Sequence, residues 1–234
     1  MLKKKRILVV IPARGGSKGI KLKNIFKVNN VPLISYTLNF IKSLSFIDDV
    51  FISTDSKQIK KVCENHGFEI PFFRPKSISG DRIPDISVLI HAIKKMERLS
   101  GKEYDIVLML PPTSPLRSKV DVIKAVKKII DLNLNSVWSV SKIDKKFHPY
   151  KQLLINGDKL NYFDEEKGKK IIARQQLKSS YIRNGVCYVF KKKFLLKYKS
   201  IFGPKTSYIK ISQPVVNIDS MEDIKFFEKI LNEN

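Results

Sequence analysis

Short apolar runs alternate with amphipathic segments through the first two-thirds of the chain. The runs are continuously apolar, which is typical of parallel strands that are covered by helices on both faces. The segments between them carry hydrophobic residues at helical spacing. This order predicts an α/β fold with a doubly wound, mostly parallel sheet, whose ligands bind beyond the carboxyl ends of the strands. We predict strands over residues 7–11, 50–52, 106–110, 136–140 and 186–190.

Four places along the chain carry residues that begin helices. Pro32 suits the first turn of a helix, where its missing N–H is not needed. Asp85 is predicted to cap the helix that follows it, because a carboxylate there accepts a hydrogen bond from the first turn. Ser118 with Asp121 resembles a capping box, and Ser220 is predicted to cap the last helix.

Residues 141–185 do not continue the alternation of strand and helix. Gly157 and Asp158 separate two short runs, residues 153–155 and 160–163, as the turn of a hairpin does. We therefore expect one α/β domain, formed by residues 1–140 and 186–234, and an inserted arm of residues 141–185. A contact with a second subunit is one use that fits such an arm.

Length and composition narrow the class of protein. The chain has 234 residues, of which 43% are hydrophobic, and a chain of this size typically buries roughly 70–75% of its unfolded surface. Disordered, collagen-like and disulfide-scaffold proteins are therefore excluded. No apolar run approaches the ~18–20 residues of a membrane span, and the first run ends at Pro12, too early for a signal peptide. Cys63 and Cys187 stand alone, so we expect a cytoplasmic protein with no membrane partner.

The formal net charge of +23 raises the alternative of a nucleic-acid-binding protein, because Lys and Arg contact phosphates. Only eight of the 45 basic residues are Arg. Arg is the residue that most often binds base edges and makes bidentate contacts with phosphates. The Lys residues are also dispersed over predicted helix faces and turns. The pattern favours a solvated, Lys-rich surface, and we expect no nucleic-acid partner.

The loop after the first predicted strand carries the most specific chemistry. It contains Gly15, Gly16 and Gly19, which let the backbone approach a ligand and turn its N–H groups toward an anion. Arg14 and Lys18 flank these glycines, and Lys23 follows. A cation–phosphate contact at ~4 Å is worth ~1 kcal/mol in water and ~4 kcal/mol at an effective dielectric constant of 20. The loop matches neither a Walker A motif nor GxGxxG, but its charges suit a triphosphate; the alternative is a flexible loop with incidental charges.

The sequence around this loop resembles that of the bacterial sugar-acid cytidylyltransferases, above all the N-acylneuraminate cytidylyltransferases (CMP-sialic acid synthetases). The resemblance extends along essentially the whole chain. It is carried by IPARGGSKGI with Lys23-Asn24, Ser53-Thr54-Asp55, Arg74-Pro75, LPPTSPLR at residues 110–117, His148-Pro149, Arg174-Gln175-Gln176, Asn184-Gly185 and Ile218-Asp219.

The resemblance implies a Rossmann-like nucleotidyltransferase that couples CTP and a nonulosonic, sialic-type acid to give a CMP-sugar and pyrophosphate. It also implies Mg²⁺ as cofactor and a homodimer joined through the arm. The catalytic residues would be Arg14, Lys23 and Asp219. The nucleotide-binding residues would be Ala13, Gly15, Gly16, Ser17, Lys18, Asn24, Arg74, Gly80 and Asp81, and those that bind the sugar acid would be Pro111, Thr113, Ser114, Arg174, Gln175 and Asn184.

Each of these roles has a plainer alternative. Arg74 and Asp81 could form an ordinary surface ion pair, residues 111–117 could be a rigid turn, and Asn184 with the following glycine could be a simple turn. The chain also departs from the family pattern. Lys21 replaces a Pro, and Ile182 replaces an Arg, with Arg183 on the opposite strand face.

The metal site also departs from the family pattern. The family's Asp-x-Asp becomes Asn217-Ile218-Asp219. An amide oxygen can bind a hard cation but adds no negative charge, so we expect Asp219 to remain the principal metal ligand, with Asn217 as a weak one. Whether Asp219 is also the base stays open. A relative that binds CTP without turnover, and the same reaction on legionaminic or another related acid, remain the alternatives.

Overall fold

A computed structural model describes residues 2–233. Its main sheet has six strands in the order β10-β6-β9-β5-β1-β4. β1 is parallel to β4 and β5, β10 is parallel to β6, and β9 is antiparallel to both of its neighbours. The strands are β1 Ile7–Pro12, β2 Lys27–Val28, β3 Val31–Pro32, β4 Asp49–Ser53, β5 Ile106–Met109, β6 Ser136–Lys142, β7 Leu153–Asn156, β8 Lys159–Tyr162, β9 Tyr181–Lys191 and β10 Thr206–Lys210.

Helices cover both faces of this sheet, which confirms the predicted α/β fold with a mostly parallel sheet. The core on one face joins β1 to α1, α2 and α4, and the core on the other joins it to α3 and α6. Leu38 of α1 and Leu89 of α3 are fully buried in these two cores, and burial of such a side chain contributes roughly 1.5–3 kcal/mol. The helices are α1 Leu33–Lys42, α2 Lys57–Asn65, α3 Asp85–Ser100, α4 Lys119–Asp131, α5 Glu165–Gly168, α6 Lys192–Tyr198 and α7 Met221–Asn232.

Two of the predicted helix starts are corrected by the structure. Asp85 is the first residue of α3 and not its cap, which is Pro84. Pro32 stands at the cap position of α1, one residue before the helix begins. Ser118 does precede α4, although its side chain makes no capping hydrogen bond. Ser220 accepts a hydrogen bond from the N–H of Asp223, which confirms the predicted cap, and the Asp223 side chain completes a capping box that was not predicted.

The arm leaves the sheet after β6 and returns at β9. Within it, β7 and β8 form the predicted antiparallel hairpin. Large apolar side chains of this hairpin face solvent, with exposed fractions of 78% for Ile155 and 62% for Leu160. Across residues 2–233, no helix combines the length and apolar character that a membrane crossing requires.

Candidate active site

A cavity of about 500 Å³ opens beyond the carboxyl ends of β1 and β5, where ligands of doubly wound sheets bind. Residues that are far apart in sequence meet there: the first loop, the segment after β4, the loop after β5 and the segment before α7. The cavity gathers ten of the predicted site residues: Arg14, Ser17, Lys18, Lys23, Asn24, Arg74, Gly80, Asp81, Thr113 and Asp219.

Backbone contacts hold the first loop against β4. The N–H of Ala13 donates to the carbonyl of Ser53 at 2.9 Å, and the N–H of Gly15 donates to a carboxylate oxygen of Asp55 at 2.7 Å. A Cβ at Gly15 would lie 2.9 Å from the Cβ of Ser56, so this glycine permits the close approach. The buried side chain of Asn24 donates to the carbonyl of Arg14 at 2.9 Å. The side chain of Asn24 therefore holds the backbone of the first loop in place at Arg14.

Carboxylates hold the three cations of the loop in place. Arg14 and Lys18 both pair with Asp81, and the Lys18 Nζ lies 2.8 Å from the carboxylate. Hydrogen bonds from these two cations keep the pKa of Asp81 below its usual value. Lys23 is largely buried, and its Nζ lies 2.7 Å from Asp219 and 2.8 Å from the carbonyl of Ile218. An entering polyanion would compete with Asp81 for two of these cations.

Arg74 lies deeper in the cavity wall, where only 6% of the residue is exposed. Its backbone N–H donates to Thr54, but its side-chain Nε and Nη2 are buried without a hydrogen-bond partner among residues 2–233. Burial also lowers the pKa of its guanidinium. The alternative of a surface ion pair with Asp81 is therefore wrong, since Asp81 pairs with other cations and Arg74 has two donors free for a ligand.

Asp85 is a cavity residue that the sequence analysis did not assign to the site. Its carboxyl lines the cavity beside Arg74, and burial raises its pKa while Arg183 and Arg74 lower it. The sequence signal was the Pro-Asp pair before an amphipathic run, which we interpreted as a helix cap. In the structure Pro84 occupies the cap position, and Asp85, as the first residue of α3, lines the cavity.

The segment before α7 brings Asp219 to the cavity mouth. Asn217 donates through Nδ2 to Asp219 Oδ2 at 3.3 Å, and its Oδ1 accepts a hydrogen bond from Ser114 at 3.2 Å. A Cβ at Gly19 would lie 2.8 Å from the carbonyl oxygen of Asp219, so this segment and the first loop touch. No group of three or more His, Cys, Asp or Glu side chains that could hold a metal occurs in residues 2–233. Asp219 therefore offers one carboxylate at the cavity mouth, and a Mg²⁺ ion that is shared with substrate phosphates needs only one or two.

The loop after β5 is held by Arg117, a partly buried residue to which the sequence analysis assigned no role. Arg117 donates to the carbonyls of Pro111 and Val186 and to the hydroxyl of Thr37. Burial lowers its pKa to about 9. The one hydrogen of the Ser114 hydroxyl is shared between the carbonyl oxygen of Asn184 and Asn217 Oδ1, each at 3.2 Å. These contacts fix the loop beside the cavity.

The remaining predicted sugar-acid residues lie outside the cavity. Asn184 is buried and donates to Ser141 at 2.9 Å, at the edge of a second depression of about 830 Å³ between β6, β9 and β10. Ile182 faces this depression as well. Arg174 is on the arm, pairs with Asp144 at 3.2 Å and is exposed, with Gln175 beside it. In one chain, the structure does not bring Arg174 and Gln175 to the cavity.

Comparisons with known proteins agree with this arrangement. A family model described as "Cytidylyltransferase" matches residues 8–230. A pseudaminic acid cytidylyltransferase from Campylobacter jejuni is 30% identical over 94% of this chain and 93% of its own. A CMP-N,N'-diacetyllegionaminic acid synthase from the same species is 29% identical over 97% of this chain and 95% of its own.

Two further proteins extend the comparison. An N-acylneuraminate cytidylyltransferase from Escherichia coli is 28% identical over 94% of this chain, which spans 51% of that protein. In fold, the chain is similar to a CMP:2-keto-3-deoxy-manno-octonic acid synthetase solved in complex with CTP, with a TM-score of 0.71 and 14% identity over 97% of this chain and 99% of that one. The family match covers nearly the full length and includes the motifs that carried the resemblance, so the chain belongs to the cytidylyltransferase family.

Proposed function

We propose that this enzyme transfers the cytidylyl group of CTP to a nonulosonic acid, giving a CMP-sugar and pyrophosphate. The observation that supports this most strongly is that one cavity brings Arg14, Lys18 and Lys23 together with Arg74 and the exposed carboxylate of Asp219. Two side-chain donors of Arg74 have no hydrogen-bond partner in the part of the chain that the structure describes. Three cations suit a triphosphate, and a buried fork of N–H groups suits a base.

The reaction needs positioning and charge neutralisation more than a covalent intermediate. The anomeric hydroxyl oxygen of the sugar acid attacks the α-phosphorus, the bond to the β-phosphate oxygen breaks, and pyrophosphate leaves. Arg14, Lys18 and Lys23 bind the phosphates and stabilise the charge that moves to the leaving group. Asp219 stands at the mouth, where the sugar hydroxyl would enter, and is the candidate acceptor of its proton.

We propose Mg²⁺ as the metal, held by Asp219 together with phosphate oxygens of the substrate. When bound, such an ion supplies charge neutralisation and lowers the pKa of an attacking hydroxyl. Asn217 is the second predicted ligand. Its oxygen lies within hydrogen-bond distance of the Ser114 hydroxyl, and its second lone pair is the one that would bind the cation.

The sugar acid is proposed to occupy the depression next to Asn184, and its carboxylate to meet Arg174 from a second subunit. Two observations support this. Arg174 is exposed and remote from the cavity of its own chain, and the hairpin of the same arm carries exposed apolar side chains, Ile155 and Leu160. Replacing both by Asp should give a monomer in sedimentation. The control is the double variant Lys159→Ser, Lys169→Ser, which changes two exposed polar residues of the same arm and should stay dimeric.

The direct test of the function is pyrophosphate release with CTP, Mg²⁺ and a panel of sugar acids: sialic, legionaminic, pseudaminic and 3-deoxy-octulosonic acid. Relative rates would identify the substrate, which the relatives leave open because their identities of 28–30% differ too little. The Ser17-Lys18-Gly19 segment of the first loop and Asn184-Gly185, as part of the resemblance to the N-acylneuraminate enzymes, favour sialic or legionaminic acid. If no acid gives release above the blank while CTP still binds, the chain is a binding protein without turnover.

A further inference from the structure

Besides Asp219, two carboxylates line the cavity, and their neighbours differ. Asp81 interacts with Arg14 and Lys18, the cations of the first loop. The charges that act on Asp85 are those of Arg74 and Arg183, neither of which belongs to that loop. The buried side chain of Val88 lines the cavity one turn after Asp85, and Ile83 lines it just before. The side that carries Arg14 and Lys18 is therefore suited to phosphates. The side that carries Val88 and Ile83 is mainly apolar and has a few polar groups, among them Asp85.

A phosphate does not suit this second side, because the carboxylate of Asp85 would repel it. A flat, uncharged heterocycle does, because its faces can pack on Val88 and Ile83 while its edge meets the polar groups. This step rests on the proposed function, in which the ligand is a pyrimidine nucleotide.

Arg74 provides a donor pattern that matches part of a cytosine edge. Its Nε and Nη2 carry parallel N–H groups on one edge of the guanidinium, and both are buried without a partner among the described residues. Cytosine presents two adjacent acceptors, O2 and N3. The next group along the same edge is the exocyclic amine at C4, which is a donor and needs an acceptor.

We propose that Asp85 is a specificity-determining residue that accepts a hydrogen bond from the exocyclic amine of cytosine, beside Arg74, and so makes the enzyme select CTP over UTP. Uracil carries a carbonyl oxygen in place of the amine and an N–H at N3. The carbonyl would face the Asp85 carboxylate, and the N–H would face the Arg74 donors. Both mismatches leave buried groups unpaired, which is how polar sites reject analogues.

The test compares CTP with UTP in wild type and in Asp85→Asn, by the ratio of kcat/KM values and by the ratio of dissociation constants in calorimetry. The amide keeps the size of the side chain but offers both a donor and an acceptor. We expect the preference for CTP to fall by about 10- to 100-fold, with the thermal midpoint retained. Calorimetry measures base selection without turnover, so the inference stands or falls even if no sugar acid is converted.

Arg183→Met is the matched control, because it removes the other charge that faces Asp85 and leaves the carboxylate. If Asp85 serves only as a counter-charge for the two arginines, both variants should shift the preference equally, and the inference is overturned. It is also overturned if Asp85→Asn keeps the wild-type ratio within about threefold, or if wild type binds UTP as tightly as CTP. A lower kcat with an unchanged ratio would place Asp85 in the chemistry and likewise refute it.

Discussion

Lys23 offers the sharpest test of the charge arrangement, because its side chain is only 15% exposed and its Nζ is fixed by two oxygens. At ~4 Å a cation–phosphate contact is worth ~4 kcal/mol at an effective dielectric constant of 20 and ~1 kcal/mol in water. The low exposure of Lys23 favours the upper part of this range. At about 1.4 kcal/mol for each factor of ten, Lys23→Ala should lower kcat/KM for CTP by about 10²–10³.

The same change should cost little stability. The partner of Lys23, Asp219, has 71% of its side chain exposed, and an ion pair with one solvated partner contributes at most about 1 kcal/mol. The assay is pyrophosphate release at saturating sugar acid and varied CTP, with thermal unfolding measured on the same samples. A large loss of kcat/KM with an unchanged thermal midpoint is the expected result.

Lys21→Ala is the control. Lys21 is two residues away and carries the same charge as Lys23, but its side chain is exposed to solvent. Its kcat/KM should stay within about threefold of wild type if position, and not total charge, decides. The reasoning is refuted if Lys23→Ala loses less than about fivefold, or if Lys21→Ala loses as much. Either result would mean that the loop binds phosphate through diffuse charge.

Three further predictions concern the metal site, the glycine with positive φ within β9 and the two thiols. Asn217→Asp should lower the Mg²⁺ concentration for half-maximal activity, because it adds a carboxylate beside Asp219; an unchanged value contradicts the assigned site. Gly185→Ala should destabilise the protein by at least about 2 kcal/mol in urea unfolding, because Gly185 has φ +75° and a Cβ there would lie 2.2 Å from the Ser114 hydroxyl; an unchanged midpoint contradicts this packing. Burial raises the pKa of both Cys63 and Cys187 to about 12, so at pH 8 only ~1 in 10⁴ of each thiol is reactive thiolate, and alkylation should need prior unfolding; fast labelling of the native protein would show that they are accessible.

The sequence predicted five of the six strands of the main sheet, all but β10, and the end of the strands at which the site lies. Continuous apolar runs predicted strands β1, β4, β5 and β6, and the rule for parallel sheets then placed the first loop at the cavity. The antiparallel direction of β9 was not predictable from its own residues, because an apolar run is the same in either direction. The direction follows from the arm, which leaves at the carboxyl end of β6 and returns the chain at the same end of the sheet, where Lys142 pairs with Tyr181.

The side chains of the site were predicted less completely, for reasons of geometry. Asp is a residue type that often caps helices, and for this reason Asp85 was predicted to be a cap. In the structure α3 begins at Asp85 itself, one residue earlier than a cap at this position would require, and Asp85 lines the cavity. Arg117 lies within a recognised motif, but only the fold shows that its three contacts are internal. Residue type predicted the kind of chemistry, whereas the backbone path decided which group performs it.

The cations of the cavity differ in what a ligand gains from them. Arg14 and Lys18 already bond to Asp81, and Lys23 bonds to Asp219, so a phosphate that binds them in the ground state exchanges one charged partner for another and gains only the difference. The larger loss expected for Lys23→Ala is in kcat/KM, which also includes the charge that develops on the leaving group in the transition state. Arg74 starts with two buried N–H donors that have no partner among residues 2–233. A ligand that supplies two acceptors there adds hydrogen bonds and breaks none. The largest contribution to the free energy of nucleotide binding should therefore come from the base and not from the triphosphate. CMP should then retain much of the affinity of CTP when both are measured by calorimetry without metal.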